Sequence, residues 1–264
     1  MTIKLYWHRG SGRDDPSKRN FGDFLSPLIV EAVAGRRVEY ATLSRADMMA
    51  IGTILAKEPK AKRFGFKRRL HVWGSGCGQP EESFSARHYY HAVRGVETRQ
   101  RIEGGGSAPV LGDPGLLSGL LIDPPTMKKY RFGFVPHYVD QQLPAALEFL
   151  HSNPEVRFIN VFDEPKSVLQ QIASCEYVVS SSLHGLVVAD AFGVPNVRVR
   201  LSQGVIDELK FDDYYSAFGM PAPQALQSTE LPNFSAEIET RLQDYSRPGL
   251  DGVKDALMKS FPFI

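Results

Sequence analysis

The sequence has few cysteines, a net charge close to zero and no long apolar run. Each of these features argues against a class of protein. The 264 residues include two cysteines, Cys77 and Cys175, so we expect no disulfide framework and a reducing compartment. The formal net charge is +1, which does not indicate a nucleic-acid partner. No stretch approaches the ~18 apolar residues of a membrane-spanning helix, and the N-terminal run IKLYW is followed by no signal-peptide segment. We therefore predict a soluble, cytoplasmic protein.

Several catalytic and metal-binding motifs are also missing. The sequence contains no H-E-x-x-H, paired C-x-x-C, Walker A or G-x-S-x-G motif. His88 and His91 lie three apart in a predicted strand, so they would face opposite sides, and no metal site is predicted. The glycines of VWGSGCG, residues 72–78, do not follow the dinucleotide spacing. They predict a tight turn beneath a ligand or a neighbouring loop.

Strand-like and helical patterns alternate along the chain, which is typical of an α/β protein. The segment LIDPPTMKK, residues 121–129, interrupts the alternation with two prolines. We predict two Rossmann-like halves that face each other across a cleft, residues 1–125 and residues 126–264, the second of which carries the C-terminal helices. The predicted strands are at residues 3–7, 48–51, 70–73, 89–93, 130–136, 156–162, 177–181 and 196–201. The predicted helices are at residues 22–35, 141–152, 165–175, 185–193, 235–246 and 252–261.

A single histidine, His184, lies between a serine cluster and an apolar run in SSSLHGLVVADAFGVP, residues 180–195. Three serines precede His184, Gly185 follows it, and the small apolar residues after that suit a buried helix. Because a strand-like run ends at the serines, the pattern places His184 at a strand-to-helix turn. Open α/β sheets bind ligands at such turns, where backbone N–H groups and the positive end of the helix face outward.

Three other loops are candidates for the same cleft. In NFGDFLSP, residues 20–27, Asn20 and Asp23 either cap the helix or take part in function. Arg94 ends a predicted strand. It either binds a carboxylate or phosphate group of a ligand through its guanidinium group, or forms a surface ion pair with Glu97. His137 directly follows a buried strand. A structural histidine is the default interpretation there, but two histidines in one half favour a shared cleft.

The most basic segment runs from Lys57 to Arg69. It contains seven Lys or Arg residues, with Phe64 and Phe66 interleaved. A solvated loop is the simpler interpretation. The alternative is an anionic partner, either a membrane surface or a diphosphate, which would place the protein at the inner face of the membrane.

Seven motifs together make the sequence resemble the polysaccharide pyruvyl transferase family, in the branch that adds ketal pyruvate to bacterial exopolysaccharides. They occur in family order from residue 20 to about residue 198: NFGDFLSP, AIGTIL, VWGSG, VRGVET, LGDPGLL, FVPHY and SSSLHGLVVADAFGVPNV. The resemblance implies a two-domain fold similar to that of GT-B glycosyltransferases. It also implies a phosphoenolpyruvate donor and a glycan or lipid-linked oligosaccharide acceptor. Residues 1–125 would lie on the acceptor side and residues 126–264 on the donor side.

The resemblance also assigns residues to the site. It gives His184 a catalytic place, and Asp23 is expected to orient the acceptor hydroxyl. Many relatives carry arginine two positions before this histidine, where Ser182 stands here, so Arg94 is the best candidate to bind the donor's anionic groups. The other predicted donor contacts are Ser180, Ser181, Ser182, Leu183, Gly185 and His137, and the predicted acceptor contacts are Asn20, Gly22, Gly74 and Ser75. Apart from phosphoenolpyruvate as a substrate, no cofactor is predicted.

The chemistry of this donor requires a proton carrier. A ketal forms when the methylene carbon is protonated, a sugar hydroxyl attacks C2, phosphate departs and a second hydroxyl closes the ring. Because an imidazole titrates near neutrality, His184 is the expected carrier, as acid or as base. Two alternatives remain open: a nucleotide-sugar glycosyltransferase and a non-catalytic glycan-binding protein of the same fold. A nucleotide-sugar enzyme would require an acidic pair to bind the ribose. The spacing of the acidic residues in this segment does not clearly match such a pair; they are Asp207, Glu208, Asp212 and Asp213.

Overall fold

Two parallel β-sheets form the framework of the protein. The computed structural model describes residues 2–105, 108–204, 206–227, 234–243 and 245–263. Its strands are β1 (Ile3–Tyr6), β2 (Val38–Tyr40), β3 (Met48–Met49), β4 (Lys62–Arg63), β5 (Phe66–Lys67), β6 (His71–Trp73), β7 (Tyr89–Val93), β8 (Val110–Leu111), β9 (Tyr130–Val135), β10 (Val156–Phe158), β11 (Cys175–Ser180), β12 (Asn196–Arg200) and β13 (Leu226–Gln227). Its helices are α1 (Phe21–Ala34), α2 (Val96–Gln100), α3 (Pro144–Ser152), α4 (Pro165–Ala173), α5 (Leu183–Ala191), α6 (Leu209–Ser216), α7 (Phe234–Gln243) and α8 (Leu250–Lys259). Short 3-10 helices lie at Gly10–Arg13, Pro16–Lys18, Leu55–Lys60, Glu103–Gly105 and Pro114–Leu120.

In each sheet the order of the strands along the chain reverses at one point, and the candidate site lies at these two points. The first sheet has the order β2-β1-β3-β6-β7-β8 and the second has the order β10-β9-β11-β12-β13. All their strand pairs are parallel. The order reverses between β1 and β3 and again between β9 and β11, so the carboxyl ends of these strands mark two topological switch points. The predicted α/β class with parallel sheets is therefore confirmed, while the two-domain division and the likeness to GT-B enzymes stay predictions.

Local sequence signals account for the bounds of α1. Asn20 precedes the helix, and its side-chain Oδ1 accepts a hydrogen bond from the backbone N–H of Gly22 at 3.2 Å. The helix ends at Gly35, whose φ of 57° is in the left-handed region that glycine adopts without steric cost. The capping interpretation is thus confirmed for Asn20, and it leaves the Asp23 side chain available for another role.

Helix α6 was not predicted from the sequence, because its segment is rich in charge. It is held by tertiary contacts instead. Asp213 is fully buried and accepts hydrogen bonds from the Thr98 backbone N–H at 2.9 Å and from the Thr98 hydroxyl at 2.6 Å. Phe211 and Tyr214 on the same helix are also buried. These contacts fix α6 against α2, which belongs to the first sheet's half of the chain.

The C-terminal helix α8 packs mainly against the first half of the chain, and Lys254 also donates to the carbonyl of Ala191 in α5 at 2.9 Å. The helix contacts β8 and the 3-10 helix Pro114–Leu120, and the indole N–H of Trp73 donates to the carbonyl of Leu257 at 3.1 Å. The largest apolar core contains residues of both halves. The predicted helix at residues 235–246 corresponds to α7, and Asp244 lies outside the described residues. In the described part of the chain, each helix is too short or too polar to cross a membrane.

Candidate active site

A pocket of about 220 Å³ lies where the two switch points face each other. Side chains that follow β1, β3, β9 and β11 line it together with the first turns of α1 and α6. The lining residues are His8, Asn20, Asp23, Gly52, Thr53, Ile54, Lys57, His137, Tyr138, Ser182, Leu183, His184 and Lys210. Of the predicted site residues, the fold therefore brings Asn20, Asp23, His137, Ser182, Leu183 and His184 to one surface.

His184 lies in the first turn of α5, directly after the strand-to-helix turn that the sequence predicted. Its side chain is 14% exposed, and it packs so closely on Gly22 that a Cβ there would come within 2.4 Å of the imidazole Nδ1. Burial lowers the pKa of His184 to about 3, and the positive charges of Lys210 and Arg94 add to this effect. The sequence predicts titration near neutrality, whereas burial in the fold moves the pKa of His184 below that range and favours the neutral imidazole.

Asp23 is the second titratable group of the pocket. Its carboxyl group does not cap α1, because Asn20 fills that role. Burial raises the pKa of Asp23 to about 7, although Lys57 and Lys210 act in the opposite direction. An aspartic acid that keeps its proton near neutral pH is suited to general acid catalysis.

Two lysines that the sequence analysis did not assign to the site supply its positive charge. Lys57 is on the 3-10 helix Leu55–Lys60, with its Nζ 3.1 Å from the Nδ1 of His8. Lys210 is at the start of α6, and burial lowers its pKa to about 8, with Arg94 as a further cause. Within the described ranges, no salt bridge is recorded for either lysine. In the sequence, Lys57 is one of seven cations of the basic segment and Lys210 lies among four acidic residues, so neither pattern marks it as a pocket residue.

Asp113 lies directly behind His184. Its Oδ1 accepts from the backbone N–H of Gly115 at 2.8 Å, which caps the 3-10 helix Pro114–Leu120. Its Oδ2 is buried without a hydrogen-bond partner and lies 3.8 Å from Nε2 of His184. That nitrogen is also buried and without a partner in the described structure. Burial raises the pKa of Asp113 to about 6.

Arg94 lies behind the pocket wall and not on the pocket surface. Its side chain is fully buried, with Nε donating to Asp213 at 2.9 Å and Nη1 donating to the Thr53 hydroxyl at 2.9 Å. The predicted surface pair with Glu97 is wrong, since Glu97 pairs with Arg101. Arg94 joins α6 to the loop after β3 and so positions Thr53, which lines the pocket. Direct donor binding by Arg94 stays a prediction, and its buried geometry does not favour it.

The glycine loop after β6 is shaped by Arg94. A Cβ at Gly76 would come within 2.3 Å of the guanidinium carbon of Arg94. Gly74 has a φ of 90°, and a Cβ there would come within 2.0 Å of Pro114. The Ser75 hydroxyl donates to the carbonyl of Ala50. Gly74 and Ser75, which were predicted as acceptor contacts, are not among the residues that line the pocket.

Two of the three serines before His184 support the turn. The Ser180 hydroxyl donates to the carbonyl of Val135 at 2.6 Å. The Ser181 hydroxyl donates to Asp140 at 2.6 Å and accepts from the backbone N–H of His137 at 2.9 Å. These bonds tie β11 to the chain that follows β9. Ser180, Ser181 and Gly185 were predicted as donor contacts, and the structure places them in this supporting layer, outside the pocket lining.

His137 faces the pocket beside His184. Burial lowers its pKa to about 3, and Lys210 adds to the shift. The sequence favoured a shared cleft for His137 and His184, and both line this pocket. The low pKa values favour the neutral form of both imidazoles, so Lys57 and Lys210 supply the positive charge of the pocket lining.

A larger depression of about 530 Å³ lies elsewhere, at the amino-terminal ends of β6 and β7. Parallel α/β sheets bind ligands at the carboxyl ends of their strands, so the smaller pocket is the better candidate. No group of three or more His, Cys, Asp and Glu side chains in the described ranges is arranged to hold a metal ion.

The fold and the pocket define a parallel α/β protein with a pocket lined by titratable side chains, two of them lysines, and sequence comparison gives its family. The model of the family described as polysaccharide pyruvyl transferase matches residues 66–202, more than half of the chain. Uncharacterized protein L143 of Acanthamoeba polyphaga mimivirus is 34% identical over 217 residues, covering 78% of this chain and 73% of that protein. The succinoglycan biosynthesis protein ExoV of Rhizobium meliloti (strain 1021) is 30% identical over 228 residues, covering 81% of this chain and 64% of ExoV. The chain therefore belongs to the polysaccharide pyruvyl transferase family, and the predicted enzyme class, a pyruvyltransferase, is confirmed.

Proposed function

We propose that the protein transfers pyruvate from phosphoenolpyruvate to a sugar of a bacterial polysaccharide or of its lipid-linked precursor, forming a pyruvate ketal and releasing phosphate. One observation carries the proposal. The pocket between the two switch points combines a histidine whose pKa is lowered to about 3, an aspartic acid whose pKa is raised to about 7, and two lysines that have no salt bridge among the described residues. The name of the relative ExoV, a succinoglycan biosynthesis protein, supports a polysaccharide acceptor.

The charge of the pocket suits this donor. Phosphoenolpyruvate carries a carboxylate and a phosphate, so its site needs fixed cations and oriented N–H groups. Lys57 comes from the first half of the chain and Lys210 from α6, and both line the pocket. With Ser182 at the position where many relatives have arginine, these lysines are the groups that hold the donor. The amino-terminal end of α5, at Leu183 and His184, adds backbone N–H groups beside them.

The nucleotide-sugar alternative finds less support. Such an enzyme would need acidic residues to bind the ribose, and Glu208 instead interacts with Arg198 and Arg200. Asp213 is buried against Arg94. Both groups are thus already occupied within the fold. A glycosyltransferase of this kind would need a different acidic pair.

The test is incubation with phosphoenolpyruvate and a panel of lipid-linked and aryl glycosides. Phosphate release together with the mass gain of a pyruvate ketal on one glycoside is the expected result. A parallel set with nucleotide sugars identifies the glycosyltransferase alternative by a hexose mass gain. Glycan binding with no product from either donor set would identify a binding protein.

The basic segment separates into a pocket lysine and an exposed hairpin. Strands β4 and β5 pair with Lys62 opposite Lys67, and the turn between them is Phe64-Gly65. Phe64 is 87% exposed and Phe66 is 79% exposed. Phe64 also has a φ of 51°, a left-handed conformation that costs a non-glycine residue about 1–2 kcal/mol. An exposed aromatic ring held at the tip of a basic hairpin is suited to an anionic membrane surface.

We propose that this hairpin contacts an anionic membrane at its inner face, where lipid-linked glycan is displayed. Lys57 on the preceding 3-10 helix lines the pocket, so the hairpin is attached to the wall of the site. Two further cations of the segment, Arg68 and Arg69, are engaged elsewhere. Arg68 donates to the carbonyl of Ser44, and Arg69 donates to the hydroxyl of Tyr89.

Replacing Lys62, Arg63 and Lys67 with glutamine is expected to weaken binding to anionic vesicles about 100-fold, since each cation contributes about 1 kcal/mol. Vesicle co-sedimentation measures this, and binding should also fall as salt rises. The matched control removes three exposed cations elsewhere, with Lys4, Arg45 and Lys166 changed to glutamine, and should bind as the unchanged protein does. No binding to anionic vesicles at low salt would contradict the proposal.

A further inference from the structure

Two buried polar atoms face each other behind the wall of this pocket without forming a hydrogen bond. Oδ2 of Asp113 and Nε2 of His184 each lack a partner and lie 3.8 Å apart. Leaving a buried polar group unpaired is unfavourable, because the group has given up its hydrogen bonds to water. A movement of about 1 Å would bring the pair to an ordinary hydrogen-bond distance and satisfy both atoms.

The geometry fixes which atom donates. Oδ1 of Asp113 is already held by the backbone N–H of Gly115 at 2.8 Å, and Gly115 leaves so little space that a Cβ there would come within 3.0 Å of that oxygen. The carboxyl group therefore keeps its orientation, with Oδ2 toward the imidazole. A carboxylate only accepts hydrogen bonds, so Nε2 of His184 must carry the hydrogen.

The other ring nitrogen then has a free lone pair on the side of the substrate. Nδ1 of His184 faces the start of α1, where it contacts Gly22. Asn20 and Asp23, on either side of Gly22, both line the pocket. A neutral imidazole protonated at Nε2 presents Nδ1 there as a base.

We propose that Asp113 is a positioning residue that holds His184 as its Nε2–H tautomer, so that Nδ1 takes the proton of the acceptor hydroxyl while Asp23 protonates the donor's methylene carbon. The catalytic part of this inference rests on the proposed function. The tautomer itself does not depend on it.

The proton balance closes with these groups. The first hydroxyl loses its proton to His184 and bonds to C2 of phosphoenolpyruvate, while Asp23 gives its proton to the methylene carbon, which becomes a methyl group. The phosphate then leaves with the electron pair of its bond to C2 and takes the proton from His184. The second hydroxyl bonds to C2 and gives its proton to Asp23, which restores both groups.

Burial and the surrounding charges favour the neutral form of His184. Lys210 on α6, Arg94 at the end of β7 and His137 after β9 all keep the pKa of His184 low, after burial as the main cause. Burial keeps the pKa of Asp23 on α1 near 7, and that of Asp113 is about 6. At neutral pH the site therefore holds a base, a partly protonated acid and an ionised positioning group. We expect kcat/KM to fall as the pH rises through about 7, because Asp23 loses its proton there.

The test is the Asp113→Asn variant of the full chain, followed by ¹⁵N spectroscopy of the histidine rings. In asparagine the amide oxygen stays on the Gly115 N–H, so the NH2 group faces Nε2 and forces the hydrogen to Nδ1. The His184 signals, assigned by their loss in His184→Ala, should show Nε2–H in the unchanged protein and Nδ1–H in the variant. Phosphate release should fall about 10²–10⁴-fold.

Glu164→Gln is the matched control, because Glu164 caps α4 by accepting from the Ser167 N–H away from the pocket. It should change neither the tautomer nor the rate. An Nδ1–H tautomer in the unchanged protein overturns the proposal even if Asp113→Asn fails to fold. A folded Asp113→Asn variant that keeps the Nε2–H tautomer overturns it as well. If the chain does not turn over phosphoenolpyruvate, the proposed function fails, and the tautomer measurement still decides the role of Asp113.

Discussion

Replacing His184 with alanine is expected to lower phosphate release from phosphoenolpyruvate about 10²–10⁴-fold while the fold stays intact. The imidazole lines the pocket, and in the proposed mechanism it is the group that takes the proton of the acceptor hydroxyl. The fold should survive because Nε2 forms no hydrogen bond that the change would break. Steady-state phosphate release measures the effect, with circular dichroism to verify the fold.

His151→Ala is the control for this experiment, since His151 lies exposed in the last turn of α3. It should release phosphate at the unchanged rate. A folded His184→Ala protein that retains a near-normal rate would show that another group moves the proton.

The Lys210→Gln variant is expected to raise the apparent KM for phosphoenolpyruvate about 10- to 150-fold, because a hydrogen bond to a charged group contributes about 1.5–3 kcal/mol. Lys210 lines the pocket without a recorded salt bridge, and burial lowers its pKa to about 8. A bound anion would relieve that cost and raise the pKa again. Titration of the donor at fixed acceptor concentration measures the change.

Two further variants define what Lys210 contributes. Lys210→Arg keeps the charge and should restore part of the donor affinity, and Lys166→Gln removes an exposed cation from α4 and should change nothing. If Lys210→Gln binds the donor as tightly as the unchanged protein, the phosphate is held elsewhere. Lys57, on the opposite wall of the pocket, is then the next cation to change.

Local signals made much of the framework predictable. The strand at residues 89–93 has the bounds that the sequence indicated, and α1 is flanked by the two capping residues that the sequence marked, Asn20 and Gly35. The strand-to-helix turn that precedes His184 was also predictable, because the residue pattern changes there from strand-like to helical. These features depend on backbone conformations that neighbouring residues determine.

The basic segment shows where local pattern is insufficient. Its seven cations appear equivalent in the sequence, yet the fold turns Lys57 into the pocket and leaves Lys62, Arg63 and Lys67 on an exposed hairpin. Arg94 is a similar case. A strand-end arginine is favourably placed for an anion, but Asp213 arrives from more than 100 residues away and binds it.

By itself, the sequence determined the parallel α/β class, the turn that carries His184 and the family, because periodicity, caps and motifs are local properties of the chain. Only the tertiary structure decided which groups meet in the pocket and how they titrate. Lys57, Asp113, His184 and Lys210 come from four separate segments, and their pKa values depend on burial and on neighbouring charges that exist only after the two sheets face each other. The division between acid, base and anion-binding groups is therefore a property of the folded pocket.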